Sequence, residues 1–407
     1  MEKDCVNMET KTELRQIADR IGLGAYPQEL EPFYEAQKNS AEPACNLELI
    51  RQLQEKYELF GEYYDLVVQS AEQINADPDL NIWVRAVAQF HMQSSMAMAC
   101  KLPVPPVSEN TATNFMMLHI MMPMIPDSFA RMEERGFTWD ELEDARNAYK
   151  SAIGVVCRQS GTPAINGTYH WWLNLYCRAL IFKISGFWFE VQKFPGQALW
   201  LRNRKSCQIV PLMKANLYRD GTMWLGSKNY EDTEGAFSAA YSEDEEHFYG
   251  HACIDNVTDR EQKAYPKSDW ACVARPGEYC LGLHIPSKAD ISVEATMGAC
   301  RAAIKLVHER FPEYGVKGAV FCSSWLLNPR LRQIQGPQSR ITQFEECFVK
   351  YPDKDTTATS VFNFVFGRKP ENLADLPENT SLQRKLKKIY MDGDCIHSYS
   401  GAIFVDE

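Results

Sequence analysis

Apolar residues recur at three- and four-residue spacing over residues 49–73 and again over 80–99, the period that lays one apolar stripe along a helix. Thr138-Trp139-Asp140-Glu141 has the Ser/Thr-x-x-Glu form of a capping box and predicts a helix running to about Arg158. Prolines at 103, 105 and 106 interrupt the helical pattern, since proline lacks the donor and restricts the residue before it. Near residue 180 the period changes. Residues 186–192, rich in aromatic and β-branched side chains, read as a strand. Strand-like stretches recur at 208–218, 236–241 and 247–256, with Arg219-Asp220-Gly221-Thr222 as a glycine-containing turn between two of them. Residues 279–348 carry the clearest pattern: a strand stopping at Leu283-His284-Ile285-Pro286, a helix over 293–307, and a strand running into Cys322-Ser323-Ser324-Trp325-Leu326-Leu327-Asn328-Pro329. Two more strands are predicted at 341–349 and 360–367, and a helix over 381–390.

This alternation predicts an α+β protein of two domains. An all-helical domain spans 1–175 and a mixed-sheet domain spans 176–407, with the boundary between about 160 and 185. The chain of 407 residues exceeds a usual single domain, and its 45% apolar share is ample for two cores. A net charge of −11 without a Lys/Arg cluster excludes a nucleic-acid partner. Thirteen cysteines form no Cys-x-x-Cys pair, which points to reduced, buried thiols and to no structural zinc or other metal. The charged start, Met1 to Lys11, does not read as a secretory signal. The longest apolar run, 115–125, contains Pro123 and falls short of the roughly 20 residues a membrane span needs. A soluble cytoplasmic protein without a membrane partner is expected, its oligomeric state open.

In α/β proteins chemistry gathers where strands end. The closing order, strand–helix–strand–helix and two further strands, matches the second half of the GNAT acyltransferase fold. His284-Ile285-Pro286, the Cys322–Pro329 segment and Phe362-Asn363-Phe364-Val365-Phe366-Gly367 together resemble a family that joins a helical N-acyltransferase amino-terminal domain to a GNAT-like carboxy-terminal domain. Weaker echoes are Tyr218-Arg219-Asp220-Gly221-Thr222-Met223-Trp224 and Thr380-Ser381-Leu382-Gln383-Arg384. The resemblance implies a splayed central pair of strands holding acyl-CoA or acetyl-CoA. It implies transfer of the acyl group to a small-molecule amine, with backbone amides of the His284 strand stabilising the oxyanion.

The resemblance places the cofactor candidates at Leu283, Ile285, Ser287, Lys288 and Ser292, along the strand end and the helix start that would hold a pyrophosphate. Two departures stand out. The linking Ser287-Lys288-Ala289-Asp290-Ile291-Ser292 has no glycine, and Asp290 and Glu294 put negative charge at the helix start with Lys288 as the sole compensating cation. An aspartate usually stands in the family where this chain has Asn328, and a Ser-Asn-Ile run where it has Ser339-Arg340-Ile341.

His284 could serve as general base, because histidine titrates near neutrality, or simply bond backbone at a strand end. Cys322 could be a nucleophile paired with His284, or a thiol acid for the departing CoA thiolate, or a buried small hydrophobe. Ser323 and Ser324 could reach the splay, with Ser324 as a candidate acid, or cap a helix near Trp325. Trp325 and Arg340 are the substrate-contact candidates, Trp325 alternatively a packing anchor. Met116, Met117, Met121, Met122 and Met124 fit core packing better than an acyl pocket. The same holds for Tyr169-His170-Trp171-Trp172, while Arg178 suits a cap or ion pair and Ser242–Glu246 a solvated hairpin tip. Against an N-acyltransferase stand two alternatives: a GNAT-shaped small-ligand-binding module without catalysis, and a Cys322/His284 thiol hydrolase or transferase.

Overall fold

The computed structural model describes residues 12–217, 234–352, 359–367 and 370–405. The predicted turn at 219–222, the 218–224 segment and residues 1–11 lie outside these. The chain divides into two compact units, one ending at Phe182 and the next beginning at Lys183.

The first unit is built on helices, including Leu47–Tyr57, Tyr64–Ala76, Pro78–Gln93, Thr111–Met121, Ile125–Glu134, Glu143–Ser160 and Gly167–Cys177. Thr111–Met121 is buried on all sides from Ala112 onwards, as expected of a helix that is apolar all round. Tyr64–Ala76, Pro78–Gln93 and Gly167–Cys177 pack around it. Met116, Met117, Met121 and Met122 are core residues. The stretch 49–73 is broken in two because Glu58 takes a left-handed conformation (φ 52°) that ends the first helix. The capping-box bonds of Thr138 and Glu141 form in both directions, although the regular helix begins two residues further on, at Glu143.

The second unit is organised by a six-stranded mixed sheet. Its strands are β1 (Ile181–Ile184), β2 (Phe187–Lys193), β3 (Tyr279–His284), β4 (Ala319–Ser324), β5 (Val349–Pro352) and β6 (Tyr399–Phe404). Their order across the sheet is β1-β2-β3-β4-β6-β5. Ser185 and Gly186 both take positive φ (49° and 87°) and make the tight turn into β2, the conformation a two-residue hairpin needs. β3 and β4 run parallel, joined by helix α1 (Val293–Arg310), which buries Thr296, Ala299, Cys300, Ala303, Ile304 and Val307 at helical spacing. One face of the sheet, with Cys280, Ala319, Phe321, Tyr351 and Ala402, packs on a second sheet through Ala198, Trp200, Met213 and Ala274. That second sheet pairs Trp270–Ala274, Ala198–Asn203 and Ile209–Met213.

Several predicted strands are corrected. Residues 340–346 are a helix, Arg340–Glu346, because the Ser339 hydroxyl caps the Thr342 amide and Phe344 and Glu345 turn inward. Residues 359–366 are also helical, with Phe362 and Phe366 buried one turn apart and Phe364 exposed. The stretch 208–218 splits into Ile209–Met213 and Ala215–Leu217, interrupted where the Lys214 amide donates to the Gln197 carbonyl. The 381–390 helix is present as α2, Ser381–Met391, opened by a full capping box of Thr380 and Gln383. Among the described residues no helix is long and apolar enough to cross a membrane.

Candidate active site

The parallel ladder between β3 and β4 spans two residue pairs, Leu281 with Val320 and Gly282 with Phe321, and stops there. Beyond it each strand follows its outer neighbour. Leu283 and His284 stay paired with Phe189 and Trp188 of β2, and Cys322, Ser323 and Ser324 stay paired with Gly401, Ser400 and Tyr399 of β6. The two central strands therefore part at their carboxyl ends and leave facing backbone groups outside the β3–β4 ladder. An extended chain with its own amide groups can be received there as a strand would be.

Side chains alternate along a strand, so the pairing register decides what faces this opening together. Glu190 lies opposite Gly282 and Trp188 opposite His284. Glu190, Gly282 and His284 thus share one face, and the carboxylate meets the ring: Glu190 Oε2 lies 2.8 Å from His284 Nε2. Glu190 is 9% exposed. A carboxylate so placed accepts the ring proton, fixes the tautomer and stabilises an imidazolium when one forms. Glycine at 282 makes room for the Gln192 side chain, which lies over it beside the pair: an added Cβ would lie 2.7 Å from Gln192 Nε2. Glu190 was not a candidate on sequence grounds. The available signal was one acidic residue inside the apolar run Phe187-Trp188-Phe189-Glu190-Val191, but its partner depends on the β2–β3 register.

The predicted catalytic residues do not all converge. Phe321 is paired with Gly282, so Phe321 and Ser323 share the His284 face, whereas Cys322 and Ser324 belong to the opposite face. Burial pushes the Cys322 thiol up to about 12, with Cys300 of α1 adding to the effect. A protonated thiol on the far face cannot form a nucleophile pair with His284. The Ser324 hydroxyl accepts from the Leu326 amide and caps the short turn Trp325–Leu327. Ser323, exposed on the His284 face, is the serine the geometry brings nearer the pair. Trp325 is 7% exposed and packs with Leu331, Phe362 and Leu386, which makes it a core anchor rather than a substrate platform. Asn328 is buried, with Oδ1 accepting from the Arg330 amide and Nδ2 donating to the His397 carbonyl.

At the start of α1 the Ser292 hydroxyl caps the Ala295 amide and Asp290 accepts from the Ser292 amide. Lys288 and Ser287 lie on the turn closed by the Ala289 amide on the Pro286 carbonyl, and both are exposed. Lys288 is not the sole cation here, because Arg340 Nη1 lies 3.8 Å from Asp290 Oδ1. Two cations, Lys288 and Arg340, thus flank this helix start. Leu283 is buried, so it could meet a ligand only through its backbone, whereas Ile285 is half-buried. Arg178 donates to the His91 carbonyl and caps the end of Pro78–Gln93. The Ser242–Glu246 hairpin tip is tied down through Glu243, which pairs with Arg275 and Lys267.

The sequence profile of the GNAT-like C-terminal domain matches residues 222–403. That part of the chain is a GNAT-like C-terminal domain. The match takes in β3, α1, β4 and β5 but not β2, so Glu190 lies outside it. No curated protein sequence matches the chain. Similar solved structures include an acyltransferase mutant in complex with octanoyl-CoA (TM-score 0.63, 15% identity, 97% of this chain and 100% of that chain). They also include an acyltransferase in complex with CoA and 10C-teicoplanin, at TM-score 0.63 and 16% identity over the same shares. A third is an acyltransferase with decanoyl-CoA and teicoplanin, at TM-score 0.62 and 16% identity over the same shares. At this identity the likeness shows a shared fold across the chain: helical first unit and GNAT-like mixed-sheet second unit.

Proposed function

We propose that the protein moves an acyl group from an acyl-CoA-type thioester to an amine. The observation that carries this reading is the opening between β3 and β4 with the Glu190–His284 pair at its edge. Acyltransferases of the same fold that hold octanoyl-CoA, decanoyl-CoA and teicoplanin support a thioester donor and a small-molecule acceptor. The thioester arm lies along the carboxyl end of β3, beyond the β3–β4 ladder, with its carbonyl oxygen on backbone amides of that strand. Lys288 and Arg340 sit near the start of α1, where the pyrophosphate of CoA would be held. Glycines are dispensable if these side chains, rather than a close-approaching backbone, carry the charge.

The amine nitrogen attacks the thioester carbonyl, and His284 takes its proton while Glu190 holds the ring. Collapse of the tetrahedral intermediate breaks the C–S bond, and the departing CoA thiolate takes the proton from His284. Asp290 and Glu294 at the α1 start favour the second reading, a binding module without turnover.

The two readings separate in one set of measurements. Long-chain acyl-CoA at about one hundred times its dissociation constant should add roughly 2.7 kcal/mol and raise the unfolding midpoint by several degrees. His284→Asn should keep that shift while amine acylation falls about 10²–10⁴-fold. No shift with any acyl-CoA overturns the thioester reading, and a shift without turnover on a panel of amines leaves the binding module.

A further inference from the structure

A second thiol–imidazole contact lies apart from the Glu190–His284 pair. Cys395 Sγ is 2.9 Å from His397 Nε2, and both residues are half-buried. They occupy the segment between α2 and β6 and precede Tyr399, which pairs with Ser324. The pair therefore lies at the end of the sheet towards which β3 and β4 part.

The backbone on either side of the contact is held by the turn that follows β4. Arg330 Nη1 donates to the Cys395 carbonyl and pairs with Asp394, and Asn328 Nδ2 donates to the His397 carbonyl. Asn328 Oδ1 meanwhile accepts from the Arg330 amide. That double task requires an amide, because an aspartate at 328 could accept from Arg330 but not donate to His397. Asparagine at this position is thus tied to the geometry of Cys395 and His397. The contrast with other cysteines is sharp. Burial pushes the thiols of Cys45, Cys177, Cys253 and Cys300 up to about 12. Cys395 is half-buried at the rim of the cluster of Trp325, Phe362 and Leu386 and has an imidazole nitrogen beside its sulfur, a setting in which a thiol can react.

We propose that Cys395 and His397 form a nucleophilic site that accepts an acyl group from a thioester. The Cys395 sulfur attacks the thioester carbonyl and its proton passes to His397. A new thioester bond forms on Cys395, the C–S bond to the donor breaks, and the departing thiolate takes the proton from His397. No oxidant or metal is needed. The choice of a thioester rests on the proposed function, but the reactivity of the pair does not.

The test exposes the full chain to octanoyl-CoA near neutral pH and follows intact mass and the Cys395 peptide. One hydroxylamine-labile octanoyl group on Cys395 is expected, absent in Cys395→Ser and formed at least about ten-fold more slowly in His397→Asn. Iodoacetamide provides a readout independent of CoA recognition: Cys395 should be alkylated faster than exposed Cys207, and His397→Asn should erase the difference. Equal alkylation of Cys395 and Cys207 overturns the proposal, as does an unacylated Cys395 in protein that still binds octanoyl-CoA. If octanoyl-CoA does not bind while Cys395 remains the faster thiol, the proposed function fails and the nucleophilic pair stands with another thioester as donor.

Discussion

Three histidines sit in the core of the helical unit, and their burial makes its stability fall as the medium becomes mildly acidic. His91, His119 and His170 are 0%, 2% and 1% exposed. Burial lowers His119 and His170 to about 3, the latter helped by neighbouring His91. It lowers His91 to about 4, with the Arg178 guanidinium adding to the effect. The hydrogen bonds explain why a second proton is unwelcome. The Ser70 hydroxyl gives its one proton to the Val67 carbonyl, so it receives the Nε2 proton of His119 at 2.6 Å. The other nitrogen, Nδ1, is buried without a hydrogen-bond acceptor. At His170, Nε2 faces the Asn174 amide nitrogen, which also donates to the His170 carbonyl, and protonation would set donor against donor.

The sign follows from proton counting. Unfolded histidine binds its proton near pH 6.5, whereas these folded ones do not until about 4 or 3. Below pH 6.5 the unfolded chain holds more protons, so stability is full above 6.5 and is lost as pH falls towards the folded values. Each histidine contributes about 1.4 kcal/mol per pH unit in this window. At pH 5 the loss is about 2 kcal/mol each, or roughly 6 kcal/mol for the three. This holds as long as the folded values lie below 5, and most carboxylates are still ionised there. A loss of that size is a large part of the 5–15 kcal/mol typical of a domain. Urea unfolding of the full chain at pH 7, 6 and 5, followed by hydrogen exchange in the Thr111–Met121 helix, measures it. His119→Gln should reduce the pH slope by about a third. A flat profile between pH 6.5 and 5, or native imidazole signals titrating near 6.5, would refute the reasoning.

Trp325→Ala should cost about 3–5 kcal/mol, the range for emptying a buried aromatic site, while leaving the affinity of folded protein for thioester unchanged. A normal midpoint with altered acyl-chain preference would restore Trp325 as a substrate contact. Ser324→Ala removes a cap and should cost about 1 kcal/mol with acyl transfer at the wild-type rate. A hundred-fold drop in rate in a stable Ser324→Ala protein would show that Ser324 acts chemically and that the face assignment is wrong.

The helical unit was largely readable because its signals are local. Spacing of apolar residues, the Thr138–Glu141 bonds and the proline breaks act within a few residues of one another. The sheet was harder for the opposite reason. The β-branched and aromatic content of residues 341–349 suggests a strand, yet Ile341, Phe344 and Phe348 recur at three- and four-residue spacing, and the Ser339 cap and inward packing of Phe344 make residues 340–346 helical. The Phe362–Phe366 run is aromatic enough for a strand, but Phe362 and Phe366 bury one turn apart against Tyr390 and Leu386. β6 was not legible because Ser400, Gly401 and Ala402 carry little strand signal. Its place between β4 and β5 comes from long-range pairing, and the close approach of Gly401 to the Val349 carbonyl leaves no room for a side chain.

The site shows the same division. His284, at a strand end before a proline, could be picked out from the chain alone, and so could the polar end of β4. Which of Cys322, Ser323 and Ser324 shares its face could not, because a shift of one residue in register exchanges the faces. Glu190 is the sharpest case: 94 residues separate it from His284, and only antiparallel pairing of β2 with β3 turns a lone acid in an apolar strand into the partner of the imidazole. The chemistry of this unit is therefore a property of strand pairing as much as of residue type. Replacing Glu190 tests that pairing more directly than replacing any residue of the strand-end motifs.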